Sequence, residues 1–216
     1  MSAPPLPPPA PVLLLLSAPS GGGKTTVSRE LLSRVTGLTR VITCTTRLPR
    51  PGEQDGVDYH FLTPEAFERQ VAAGEFLEHA VVYGHRYGTR RTEALALLNC
   101  GRDVLLNVDV QGADNLRALA ARNPRLRAAL VTVFLTPPSI EILAERLRRR
   151  AQDPPEVIER RLAEARREIA SWPRFDYLVL SETVEADVRR VQAILEVEKL
   201  RTARRQAGAC APAAAG

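Results

Sequence analysis

The chain has 216 residues, a mass of 23.7 kDa and a formal net charge of +5, enough for one α/β core with insertions and short for two independent domains. Its hydrophobic fraction of 44% and charged fraction of 25% are ordinary for a soluble globular protein, and its basicity suits phosphorylated ligands or nucleic acid without choosing between them. Three widely spaced cysteines, Cys44, Cys100 and Cys210, exclude a disulfide framework, so a reducing, cytoplasmic compartment is expected.

Residues 1–11 (MSAPPLPPPAP) are proline-rich. Proline has no backbone donor and resists packing into helix or sheet, so an extended, disordered leader is expected. The apolar run Val12–Leu16 is too short to span a membrane and lacks a signal peptide's basic flank. It reads as the first of five strands, followed by Arg40–Thr46, Asp103–Asp109, Leu130–Leu135 and Asp176–Ser181. Helices are expected at 24–36, 92–100, 113–122, 138–150, 155–171 and 184–205. Val27, Leu31, Leu32 and Val35 share one face of the first. Such alternation predicts an α/β fold, a parallel sheet flanked by helices.

Two stretches break the alternation. Residues 43–91 hold Gly and Pro clusters, tyrosines, the strand-like piece Phe76–Tyr83 and one short helix at about 64–73. Thr63 is placed as its N-cap, Pro64 at its first position and Gly74 past its end. This predicts a small α+β insertion, leaving 12–42 and 92–205 as the core. The arginine-packed stretch at about 146–165, with Pro154-Pro155, reads as a mobile helical lid, and the Ala/Gly/Pro-rich 206–216 as a flexible tail.

The segment Ala18-Pro19-Ser20-Gly21-Gly22-Gly23-Lys24-Thr25-Thr26 leaves an apolar strand and opens a helix. In that context it fits the P-loop pattern, with Ala18 in place of the first glycine. Gly21, Gly22 and Gly23 tolerate positive φ, so successive N–H groups can turn in around a phosphate, and the helix N-terminus adds positive potential. Lys24 is then placed to reach the β- and γ-phosphates, and the Thr25 hydroxyl to ligate Mg²⁺. Only Lys24 and Lys199 are lysine among 30 basic residues, and a compact ammonium on a thin stem differs from an arginine fork. The motif predicts nucleoside triphosphate binding and says nothing of the acceptor.

Three further segments follow: TTRLPRPGEQDGVDYHF (45–61), FLEHAVVYGHRYGT (76–89) and NVDVQG (107–112). With the P-loop, and in this order, they resemble the signature segments of guanylate kinases. The resemblance spans about 10–112, and the helical remainder fits to about 200. It implies a P-loop nucleoside monophosphate kinase whose 43–91 insertion binds GMP, with ATP as donor, Mg²⁺ as metal and dGMP as a second acceptor. Monomer and homo-oligomer both stay open, and no membrane or nucleic-acid partner is expected.

Site residues follow from the same resemblance. Arg47, Arg50, Tyr59 and Tyr87 match positions that hold the GMP phosphate, a role that guanidinium forks and phenols suit. Glu78 matches the guanine-reading carboxylate. An ionised carboxylate only accepts; guanine offers N1–H and a 2-amino group, and adenine offers neither. A mispaired buried polar site can reject an analogue by roughly 10⁴-fold. Thr43 and Thr89 match further base contacts, where the family more often has Ser. Asp109 either reads the base or organises Mg²⁺, and both roles stay open. Among Arg146, Arg148, Arg149, Arg150, Arg160 and Arg161, the resemblance selects Arg150 and Arg161 as lid arginines, with Arg146 a lesser candidate. With Lys24 and Arg47 they would neutralise the transferring phosphoryl group.

The chain departs from the family at Asn107, where an acid is usual, at Cys44, where a small hydroxyl residue is usual, and at Ser181-Glu182, which replaces an Asn-Asp pair near the adenine. Two alternatives share the fold. A catalytically silent interaction module is disfavoured by the intact P-loop and phosphate arginines. A sugar-phosphate kinase is disfavoured by Glu78, Thr43 and Thr89. A nucleic-acid binder lacks an aromatic platform or reading motif.

Overall fold

The computed structural model describes residues 8–82, 84–149 and 154–209. In chain order the core begins with β1 (Leu13–Ser17), α1 (Lys24–Arg34) and β2 (Leu38–Arg40). Next come β3 (Cys44–Thr45), β4 (His60–Phe61), α2 (Pro64–Ala72), β5 (Phe76–Val82) and β6 (His85–Arg90). The core resumes with α3 (Arg91–Asn99), β7 (Asp103–Asn107), α4 (Val110–Ala121), α5 (Pro124–Ala129) and β8 (Leu130–Thr136). It closes with α6 (Ile140–Arg149), α7 (Pro155–Ile169), β9 (Tyr177–Leu180), α8 (Val184–Leu200) and α9 (Thr202–Ala209).

Five strands form a parallel sheet in the order β2-β7-β1-β8-β9. Alternate side chains of β1 serve opposite faces, as the pleat requires. Leu13 and Leu15 pack with α3, α4 and α5; Leu14 and Leu16 pack with α1 and α8. A strand buried on both faces is apolar throughout, which is why Leu13–Leu16 read as a continuous run. Because β1 lies between β7 and β8, its carboxyl end opens at the point where the chain leaves to either side, where α/β sheets bind ligands.

A second sheet, in the order β4-β3-β6-β5, is built from residues between Cys44 and Arg90. Its small core is Cys44, Phe67 and Phe76, with the two phenyl rings stacked at 4.5 Å. Cys44 thus packs as an apolar residue, and burial pushes its thiol up to about 11. Thr63 caps α2 by accepting from Ala66 N–H at 3.2 Å, as its sequence predicts.

Five expectations are corrected. The strand expected at Arg40–Thr46 is two strands in two sheets, β2 and β3. The strand expected to end at Asp109 ends at Asn107; Asp109 instead caps α4, accepting from Gly112 N–H at 2.9 Å. Helix α5, capped by Asn123 with Pro124 at its first turn, was not expected. The helix expected over 184–205 breaks at Arg201, whose backbone is extended. The break turns α9 back so that buried Arg204 pairs with buried Glu198 at 2.8 Å, and Glu198 also accepts from the Tyr177 hydroxyl at 2.6 Å. Helix α9 continues to Ala209, beyond the expected start of the tail, while 210–216 lie outside the described residues. The leader's residues 1–7 also lie outside, and Ala10 is tied to Arg204 O through its N–H at 3.0 Å.

A Cβ at Gly88 would meet the Phe76 ring at 2.9 Å and Phe67 Cζ at 3.1 Å. Gly88→Ala is therefore expected to destabilise the protein by about 1–3 kcal/mol through overpacking. A lower denaturant midpoint at an unchanged slope would show it.

Candidate active site

The loop from Ala18 to Gly23 joins β1 to α1. Gly21 and Gly23 adopt φ of 83° and 98°, the left-handed region that a side chain resists. Helix α6 packs against the loop so closely that a Cβ on Gly21 would lie 2.8 Å from Leu147. Lys24 Nζ donates to the carbonyl of Val108 at 2.9 Å. Burial pushes the ammonium's pKa down, while Asp109, Glu168 and Glu78 pull it up. Thr25 is exposed at the start of α1, and Thr26 lines the adjoining cleft.

A cleft of about 260 Å³ covers this loop, lined by Ala18 to Thr26 and by Arg50, Asp109, Arg161 and Glu168. Arg161 Nε donates to Ser20 Oγ at 3.1 Å, and Ser20 N–H donates to Glu168 Oε2 at 3.1 Å. A carboxylate oxygen thus already takes an N–H of the loop, so the donors suit anionic oxygens. Burial pushes the Glu168 carboxyl up to about 7. Among the described residues no group of three His, Cys, Asp or Glu could cage a metal ion.

The insertion supplies two further clusters. Arg47 lies 5.3 Å from the Tyr59 ring, and the Tyr59 and Tyr87 rings meet edge-on at 6.1 Å. Glu53 organises them: its Oε1 accepts from Arg47 at 2.9 Å and its Oε2 from Arg50 N–H at 2.8 Å. Arg50 also lines the P-loop cleft. The second cluster is Glu78, Thr89 and Asp109. Glu78 is 5% exposed, and its Oε1 accepts from Thr89 Oγ1 at 2.6 Å. Burial pushes its carboxyl up to about 7, opposed by the Thr89 hydrogen bond and reinforced by Asp109. Thr43 stands just ahead of β3, half-buried, its carbonyl accepting from His60 N–H at 2.9 Å.

A wider cleft of about 390 Å³ continues from the P-loop past Thr26 to Arg146, Arg149 and Ser181–Asp187. Arg146 donates to Ser181 Oγ at 3.0 Å and to the Glu182 carbonyl at 3.3 Å. Ser181 Oγ donates to Asp187 at 2.7 Å. The serine that departs from the family pattern is therefore fully bonded within this wall. Asn107 accepts from Ser28 Oγ at 2.6 Å, joining β7 to α1. Arg150 lies outside the described residues. Glu53, Glu168 and Asp187 take part in the site without having been given roles from the sequence. Only Glu53 carried a signal, as part of the GE in segment 45–61.

A P-loop at the carboxyl end of a parallel sheet, facing an arginine- and tyrosine-bearing insertion, defines the class of P-loop nucleotide kinases. The guanylate kinase family model matches residues 11–198. The guanylate kinase of Paramagnetospirillum magneticum is 47% identical over 182 residues, covering 84% of this chain and 82% of that one. That of Nitrobacter hamburgensis is 44% identical over 183 residues, covering 85% and 81%. Among solved structures, guanylate kinase from Anaplasma phagocytophilum superimposes with a TM-score of 0.75 at 33% identity, covering 93% of this chain and 92% of that one. The chain belongs to the guanylate kinase family and is a nucleotide-binding phosphotransferase. Among the described residues no helix is long and apolar enough to cross a membrane.

Glu78 gives this site a measurable pH signature. Its folded pKa of about 7 exceeds the ordinary 4.5, so between these values the folded chain holds a proton that the unfolded chain has released. Stability contributed by Glu78 therefore falls as pH rises from 4.5 to about 7, and the loss is complete above that. Glu78→Gln keeps an acceptor for Thr89 and never ionises. Its melting temperature is expected to exceed the parent's at pH ~8 by a few degrees and to match it near pH ~4.5. A constant difference across that range would show that Glu78 does not titrate this way.

Proposed function

We propose that the chain transfers the γ-phosphoryl group of Mg²⁺-bound ATP to GMP, and to dGMP, by in-line attack. One observation carries the reading: Arg50, from the insertion, lines the same cleft as Gly21–Thr26 and Arg161. An acceptor phosphate held by the insertion would thus face a donor phosphate held by the loop. Holding both reactants in line supplies much of the barrier reduction that a phosphoryl transfer needs.

In this scheme the P-loop amides and Lys24 hold the β- and γ-phosphates, and Arg47, Arg50, Tyr59 and Tyr87 hold the acceptor phosphate. When bound, Mg²⁺ would neutralise charge on the β- and γ-oxygens, with Thr25 as its protein ligand. Glu78, Thr89 and Asp109 read the purine edge, with Thr43 as a further contact. Asp109 is assigned to the base, because it shares the Glu78 cluster and its Oδ1 already caps α4. Arg161 sits on Ser20 and neutralises charge that builds during transfer, a role in which Arg150 is proposed to share. Arg146, Arg149 and the Ser181–Asp187 wall frame the adenine. Helices α6 and α7, packed through Leu143, Leu147, Ile158 and Leu162, act as the lid. An acceptor phosphate oxygen is anionic near neutral pH, so no protein general base is needed. Free nucleotides of the cytoplasm are the proposed substrates.

A coupled assay with ATP against GMP, AMP, CMP and UMP tests the reading, with turnover expected on GMP. Preference for AMP would remove the role given to Glu78. Lys24→Ala is expected to lower kcat by at least about 10²-fold, the scale for losing one charge-stabilising donor. Normal turnover by that variant would refute the donor site.

A further inference from the structure

Helix α4 lies along the outer edge of β5, the strand that carries Glu78. Asn115 Nδ2 donates to His79 O at 2.8 Å, and Gln111 Nε2 donates to Val81 O at 3.4 Å. These carbonyls are two residues apart, so they face the same way along the strand. Gly112 shares that side of the helix. A Cβ there would stand 2.5 Å from Glu78 Oε2, 3.1 Å from Val108 Cβ and 3.2 Å from Asp109 Oδ1. The carboxylates of Glu78 and Asp109 therefore converge over a bare Cα.

Backbone conformation does not explain this glycine, which lies within α4 and is not among those with positive φ. In the first turn of α4 a glycine offers no helix-forming advantage over alanine. The carboxylate above it does explain it. A methyl group at 112 would have to displace Glu78 Oε2, the free end of a flexible side chain, because the helix backbone beneath is fixed.

We propose that Gly112, with Asn115 on the same side of α4, is a positioning residue for purine specificity. Asn115 sets the height of β5, and Gly112 sets where the Glu78 carboxylate stands relative to Asp109. The inference deepens the reading of Glu78 as the guanine-recognising group and rests on it.

Gly112→Ala is tested with GMP and AMP as acceptors, alongside the KM for ATP and thermal unfolding. The KM for GMP is expected to rise about tenfold to a hundredfold, as for a small misplacement of a binding group. The GMP-to-AMP ratio of kcat/KM is expected to fall, while the KM for ATP holds. The melting temperature is expected to hold or rise, since alanine favours the helix. Glu78→Ala removes the carboxylate that the methyl group would strike. Adding Gly112→Ala to it is expected to change the KM for GMP by less than about twofold. Asn115→Ala keeps the glycine and is expected to act in the same direction, again only when Glu78 is present, so it decides the matter should Gly112→Ala fail to fold. An unchanged KM for GMP in the folded single variants, or an equal rise with and without Glu78, overturns the proposal. If Glu78→Ala itself leaves the KM for GMP unchanged, the guanine reading falls and takes this inference with it. If Glu78→Ala raises it and the folded single variants do not, only the positioning role falls.

Discussion

The Lys24 ammonium is the charge around which three parts of the molecule meet. Burial makes its charged form costly, and the carboxylates of Asp109, Glu168 and Glu78 offset that cost. They come from the cap of α4, from α7 and from β5 of the insertion. One ammonium thus couples the core, the proposed lid and the sheet of the insertion electrostatically. The Val108 carbonyl fixes its direction, and Val108 lies between the end of β7 and the cap of α4. A phosphate placed in the loop would meet an ammonium already aimed by a fixed carbonyl and partly supported by neighbouring carboxylates. Such preorganisation avoids reorganising solvent when the phosphoryl group moves.

The same arrangement strains the carboxylates. Glu78 and Glu168 are both pushed up to about 7, so near neutral pH each sits at the edge of ionisation. A buried acid kept near its titration point lowers stability and gives a group able to report a partner's donors, a common exchange at functional sites. The opposite end of the sheet makes the contrast. There Asp103 takes Val12 N–H at 2.9 Å and pairs with Lys199, and Glu198 gathers Tyr177, Arg201 and Arg204. Those hydrogen bonds hold Glu198 below the usual carboxylate range even against burial. Charges far from the clefts are satisfied within the chain, whereas Glu78 and Glu168 are satisfied only in part.

Much of this was legible in the sequence. Continuous apolar runs announced β1, β7 and β8, and the P-loop declared itself by its strand-to-helix setting. Thr63-Pro64 marked α2 through capping chemistry that needs no tertiary partner. What escaped depended on distant partners. The run from Arg40 to Thr46 has strand-like residues throughout, yet two sheets compete for it and take one end each. Nothing local stops the last helix at Arg201; the buried pair of Arg204 and Glu198 does. Helix α5 had a local signal, Asn123 before Pro124, hidden by its six-residue length. Glu168 meets Ser20 across 148 positions, and Gly112 acquires meaning only once Glu78 is packed over it. Motifs marked the residues proposed to read base and phosphate; the groups packed around them left no pattern to read.

Both surfaces proposed to bind phosphate also carry a carboxylate of the chain itself. Glu53 spans Arg47 and the Arg50 N–H, and Glu168 takes the N–H of Ser20. Each resembles a phosphate in charge and in its two accepting oxygens, and each keeps the donors around it aligned. A nucleotide phosphate is a stronger and more highly charged acceptor, so it can share or displace these contacts. Proximity of like charges then sets a cost that differs between the two surfaces. Glu53 stands among Arg47 and the tyrosines Tyr59 and Tyr87, where a second anion still finds guanidinium and hydroxyl donors. Burial pushes the Glu168 carboxyl up to about 7, where taking up a proton removes the repulsion altogether. In the proposed scheme, binding at the acceptor surface would be accommodated by added donors, and binding at the loop by a carboxyl that can shed its charge.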